Sequence, residues 1–124
     1  AGALSFLDAS LRVLKKNGVL RLAVRDLKNI INYYLAVDDA DKFMERLYVE
    51  APSIRSLKEK LKLFILGYRH HQWMYDSESL CKLMVASGFK DVTVCAPGKT
   101  TIKNPGKLNL YERSDDSIYV EGKK

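Results

Sequence analysis

At 124 residues the chain has the length of one domain, and a globule of this size buries roughly two thirds of the surface its unfolded chain exposes, enough for a genuine core. Hydrophobic residues make up 47% and charged residues 29%, which excludes a disordered composition. Uninterrupted apolar runs such as Leu63-Phe64-Ile65-Leu66 are far short of a bilayer span, and no basic, apolar and small-residue series opens the chain, so the expectation is a soluble cytoplasmic protein. The net charge of +6 suits an acidic partner such as nucleic acid, and equally suits a soluble protein whose helices carry lysine on their wet faces.

Ser5 with Asp8 three residues later reads as a capping box at a helix start. Leu7, Leu11 and Leu14 then form a stripe at helical spacing, and Asn17-Gly18 ends the helix through a left-handed glycine. Val19 to Val24 is apolar apart from Arg21, the pattern of a strand covered on both faces. Asp26 is placed to cap a helix carrying Leu27, Ile30, Ile31, Tyr34 and Leu35. Asp38-Asp39 interrupts it, and Ala40, Phe43, Met44 and Leu47 resume the spacing, with Tyr33, Tyr34 and Tyr48 on or beside the apolar stripes as core. Pro52-Ser53 precedes a third amphipathic helix with Ile54, Leu57, Leu61, Phe64 and Ile65.

Asp76 or Ser77 caps a further helix through Leu80, Leu83 and Met84, which Gly88-Phe89 closes in the Schellman manner. Val92 and Val94 alternate with Thr93 and Cys95, and Ile118 and Val120 with Tyr119 and Glu121, so both segments read as strands with one buried face. Residues 96 to 116 between them make a connection of a length that is usually functional or mobile. Cys81 and Cys95 have no Cys-x-x-Cys spacing and read as buried thiols of a reducing compartment.

These elements, in this order, resemble the C-terminal half of a class I S-adenosylmethionine-dependent methyltransferase of the small bacterial type. The run from Leu11 through Arg12-Val13-Leu14-Lys15-Lys16-Asn17-Gly18 to Leu20 is similar to the segment leading into the fifth strand of those enzymes. Arg21 to Leu27 resembles the strand itself, with Arg25 where proline is usual. His71-Gln72-Trp73-Met74-Tyr75-Asp76, Ser79-Leu80 and Ala86-Ser87-Gly88-Phe89 resemble the entry and exit of the last helix, and Ser117-Ile118-Tyr119-Val120-Glu121 the closing strand.

The resemblance implies an α/β fold over residues 1–124: a truncated Rossmann-like sheet of three strands in the order 19–25, 117–121, 91–95, mixed in direction, with four to five helices. It also implies S-adenosylmethionine as the family's methyl donor. The family holds that donor with a glycine-rich turn after its first strand and an acid at the end of its second, by close backbone approach and ribose hydrogen bonds. This sequence has no glycine-rich turn between a strand and a helix, so no donor-binding residue carries over and none is expected to bind the cofactor in this chain alone. The missing fourth strand would leave an apolar edge on strand 19–25, and exposed edges promote association. A homodimer through that edge, or by helix exchange, is the expected partnership.

The segment Tyr68, His70, His71, Trp73 and Tyr75 has the most unusual local composition. The resemblance places it toward the methyl acceptor, with His70, His71 or Tyr75 as candidate acid–base groups and Tyr68, His70, His71 and Trp73 as substrate-facing. The plainer alternative is that these rings fill space between helix and sheet. Adjacent histidines with no further Cys or His nearby do not make a metal site. Gly98-Lys99-Thr100 has Thr93 where a phosphate-binding loop needs its first glycine. Arg55, Lys58 and Lys62, and Lys99, Lys103 and Lys107, are either solvated faces or parts of a nucleic-acid footprint, which requires charges gathered in one place.

Overall fold

The computed structural model describes residues 2–47, 57–58 and 74–124. They fall into two compact units, Ala1–Leu27 with Tyr75–Lys124, and Lys28–Met74.

The first unit is a three-stranded sheet with two helices. Helix α1 spans Gly2–Val13, so Ser5 and Asp8 lie inside the helix and do not cap it. Its end is also built differently from expectation. Asn17 takes the left-handed conformation at φ 63, while Gly18 is needed because a Cβ there would stand 2.8 Å from the Lys15 carbonyl oxygen. Strand β1, Val19–Arg25, follows at once. Helix α4 spans Ser77–Ala86, and of the two expected caps it is Asp76 that serves, in a capping box: the Ser79 amide donates to Asp76 Oδ1 at 2.8 Å, and the Asp76 amide to Ser79 Oγ at 3.1 Å. Its C-terminus is a Schellman closure, with the Phe89 amide on the Met84 carbonyl, the Gly88 amide on Val85, and Gly88 at φ 104.

Strands β2, Lys90–Cys95, and β3, Ser117–Lys123, complete the sheet in the order β1-β3-β2. The strand order agrees with the expected one, but the direction does not. Both pairings are antiparallel, Arg21 opposite Glu121 on one side and Thr93 opposite Glu121 on the other, so the sheet is antiparallel throughout and not mixed. The reason is geometric: β1 and β2 share a direction but never touch, because β3 runs against them between the two.

Leu7, Leu80, Met84, Phe89, Ile118 and Val120 form the core on the helical face of the sheet, with Leu11, Leu14, Leu20, Leu22, Val24 and Val92 packed against it. Two strand expectations change here. Val94 is exposed although it stands opposite buried Val120, because β2 is an edge strand with a neighbour on one side only. Tyr119 and Glu121 are as buried as Ile118 and Val120, because β3 is central and its second face is also covered.

The second unit contributes α2, Leu27–Val37, and α3, Ala40–Leu47. Asp38 at φ 52 makes the break, and Asp39 starts α3 by accepting the Lys42 amide at Oδ1 and the Phe43 amide at its carbonyl. The Tyr34 and Phe43 rings tilt against each other at 4.9 Å, and the Arg46 guanidinium lies 3.7 Å from the Tyr33 ring centre. Of the third amphipathic helix, Leu57 and Lys58 are helical and exposed, and the rest of that prediction, with Tyr48, lies outside the described residues. No helix among the described residues is long and apolar enough to cross a membrane.

Candidate functional site

The densest polar cluster among the described residues lies on the second face of the sheet, where side-chain alternation carries Arg21 of β1 and Glu121 of β3 away from the helical core. Arg21 Nη1 donates to Glu121 Oε1 at 2.9 Å, and both side chains are at least nine-tenths buried. Glu121 accepts from more than arginine. Thr100 Oγ1 donates to its Oε1, and the Thr101 amide (2.7 Å) and Thr101 hydroxyl donate to its Oε2. Arg21 in turn donates to the carbonyls of Lys99 at 2.8 Å and Leu110 at 3.3 Å, and lies 4.7 Å from the Tyr119 ring centre. Tyr119 closes the cluster by donating its hydroxyl to the Glu112 carbonyl at 2.6 Å.

Every donor and acceptor that is not on the sheet belongs to residues 96–116. The long connection is therefore a strap over the second face, fastened at Lys99–Thr101 and at Leu110–Glu112. This defines what the cluster can do chemically. Burial by itself pushes the Glu121 carboxyl up, but the hydrogen bonds from Thr100, Thr101 and Arg21 outweigh it and hold the group down at about 2. A carboxylate so far down, with four donors on its two oxygens, has neither the basicity nor the vacant lone pair of a general base at neutral pH. Cys95 borders the cluster, and burial, reinforced by the Glu121 charge, pushes its thiol up; burial does the same to Cys81. Both cysteines are free and half-buried, and raised thiols are poor nucleophiles. The cluster positions a strap and carries no reactive group.

Of the candidates proposed from sequence, Tyr68, His70, His71 and Trp73 lie outside the described residues. Tyr75 is described: it is half-buried, its side chain packs against the core cluster, and its backbone bridges Asp26 in parallel fashion just beyond the end of β1. The Leu27 amide donates to the Tyr75 carbonyl at 3.0 Å and the Asp26 amide to the Asp116 carbonyl at 2.8 Å. This turn joins β1 to α2 and is the one strand-to-helix turn among the described residues. Its sequence, Arg25-Asp26-Leu27, has no glycine, and two of its amides are already taken. It lacks the glycine-rich form of the backbone cradle by which a nucleotide-like donor is held.

Gly98 stands at φ 78, where a Cβ would run into the Tyr111 ring, and the threonines after it bond Glu121, so this turn serves the strap and not a phosphate. Lys99, Lys103 and Lys107 are exposed along it, and Lys58 is exposed. No group of three or more metal-ligating side chains exists among the described residues. The sequence did hold a signal for the cluster that pattern-reading missed. Arg21 and Glu121 are opposite charges in the interior of two strands whose other charges, Arg25 and Lys123, stand at the strand ends, and in a covered sheet such interior residues must find partners.

Searches against family models, curated proteins and solved structures find no match to this chain.

Proposed function

We propose that this chain is a methyltransferase-related region, the C-terminal half of a truncated Rossmann-like fold, that acts without catalysis of its own as a binding or scaffold module and works as a homodimer. The observation that carries the reading is the placement of the last strand. β3 inserts antiparallel between β1 and β2, in the strand order that the resemblance implies for the end of that fold. The non-catalytic part rests on the sequence, which has no glycine-rich strand-to-helix turn of the kind that holds the donor in that family.

Among the described residues β1 pairs on one side only, with β3, and an unpaired strand edge is a template for another chain. Strand pairing or helix exchange between two copies uses that edge. The same edge favours a second reading, in which another chain carrying a donor-binding half completes an active methyltransferase. Calorimetric titration of the purified chain with S-adenosylmethionine and S-adenosylhomocysteine, together with sedimentation, separates the two. A dimer at micromolar concentration with no saturable heat supports the scaffold. Saturable binding near micromolar strength moves the assignment to the enzyme, and a monomer without affinity for either compound removes the dimeric scaffold.

A further inference from the structure

Six cations of the first unit gather at one end of the sheet. The chain reversals bring the end of α1, the start of β2 and the end of β3 to one end of the sheet: Val19 and Lys90 both stand opposite Lys123. That end carries Arg12, Lys15, Lys16, Lys90, Lys123 and Lys124. Lys124 fastens it, its Nζ donating to the carbonyls of Leu14 at 2.7 Å and Arg12 at 3.2 Å, and its amide to Gly18 at 3.0 Å. Among the described residues the one carboxylate in ion-pair range of any of the six is Asp91, 3.9 Å from Lys123. The other end of the sheet is mixed in charge, with Asp26 and Asp116 meeting there beside Arg25, which stands opposite Ser117.

Fold stability explains only part of this pole. Cations at the last turn of a helix are favoured by its partial negative charge, which accounts for Lys124 on the α1 carbonyls and favours Arg12. It does not account for Lys90 directly opposite Lys123, because like charges on facing strand residues work against pairing. Arg12, Lys15, Lys16 and Lys90 are all exposed.

We infer that this basic pole binds the phosphate backbone of duplex nucleic acid without reading sequence. Several lysines and one arginine converging from three elements match a polyanion whose charges are also distributed in space. Lysine dominates the pole, and its point charge positions a protein on phosphates but carries no base code. A lipid surface is the poorer fit: α1 does expose Phe6 and Val13 beside Arg12, Lys15 and Lys16, but Lys90, Lys123 and Lys124 come from the sheet, so no single amphipathic helix presents all six cations. This inference stands apart from the methyltransferase reading and from the dimer, neither of which requires it.

The test is fluorescence anisotropy of the full chain with a labelled 20-base-pair duplex across a salt series. Binding is expected to weaken steeply with salt, with a log–log slope of roughly −4 to −5 for about five neutralised phosphates. The triple variant K15Q/K16Q/K90Q, exposed at all three positions, is expected to keep the native circular dichroism, lose at least about tenfold in affinity at intermediate salt and flatten the slope by roughly 2 to 3. The matched variant K99Q/K103Q/K107Q on the strap is expected to retain most of the binding. Equal losses in the two variants would reduce the effect to net charge and overturn the assignment. So would absence of duplex binding at low salt, or binding to phosphatidylserine vesicles in its place.

Discussion

Arg21 and Glu121 face each other across β1 and β3 as directly opposed residues, their charges 2.9 Å apart and almost wholly out of water. A pair in that position costs desolvation on both sides, and its neighbours offset the cost by satisfying the remaining lone pairs and protons. Those neighbours are the strap. The pair therefore fixes residues 96–116 on the sheet more than it adds bulk stability.

Breaking the pair from one side is expected to be severe. Arg21→Met or Glu121→Leu leaves a buried charge uncompensated and should cost about 3–5 kcal/mol in urea denaturation. The double substitution removes both charges and should recover a large part of that loss. A double-mutant cycle with strictly additive losses would show that the two residues are not coupled.

Acid should act on the same group. The folded-state carboxyl of Glu121 sits at about 2, below its ordinary value of 4.5. The group is lowered, so its stabilising contribution is present above pH 4.5 and is lost as the pH falls from there through 2. Unfolding free energy measured from pH 6 down to pH 2 should decline over that window in the native chain. In Glu121→Gln the decline should be shallower.

Tyr119→Phe removes the hydroxyl that donates to the Glu112 carbonyl while keeping the ring beside Arg21. The expected cost is about 1 kcal/mol, the net worth of one hydrogen bond. Amide exchange should accelerate at residues 110–116 and not in α4, whose bonds do not involve the strap.

Gly122 lies in β3 where a Cβ would stand 2.9 Å from Met84 Cε and 3.0 Å from Phe89 Cβ. The methionine end can swing away, but Phe89 Cβ is tied to the backbone by the Schellman closure, with its amide on the Met84 carbonyl. Gly122→Ala is expected to overpack the core and cost about 1–3 kcal/mol in thermal or urea unfolding.

Asp76→Ala removes a capping side chain that accepts the Ser79 amide, and should lower stability by about 1 kcal/mol. Asp76→Asn keeps an acceptor there and should cost less, which urea midpoints of the two variants will resolve.

Much of this molecule was legible from local chemistry alone. The Asp76 cap, the Gly88-Phe89 closure, the Asp38-Asp39 break and the strands 19–25 and 117–121 each depend on residues within a few positions of one another. Ser5 with Asp8 has the spacing of a capping box, but α1 begins before it and runs through, since serine is compatible with a helix interior as well as a cap. Only the tertiary structure decided that the sheet is antiparallel throughout, that Tyr119 and Glu121 are interior, and that the long connection is a strap. Arg21 and Glu121 are one hundred positions apart, and Lys15, Lys90 and Lys123 lie in three separate stretches of the chain. Pairing over such separations is set by how the chain reverses around β3, which no local pattern of side chains encodes.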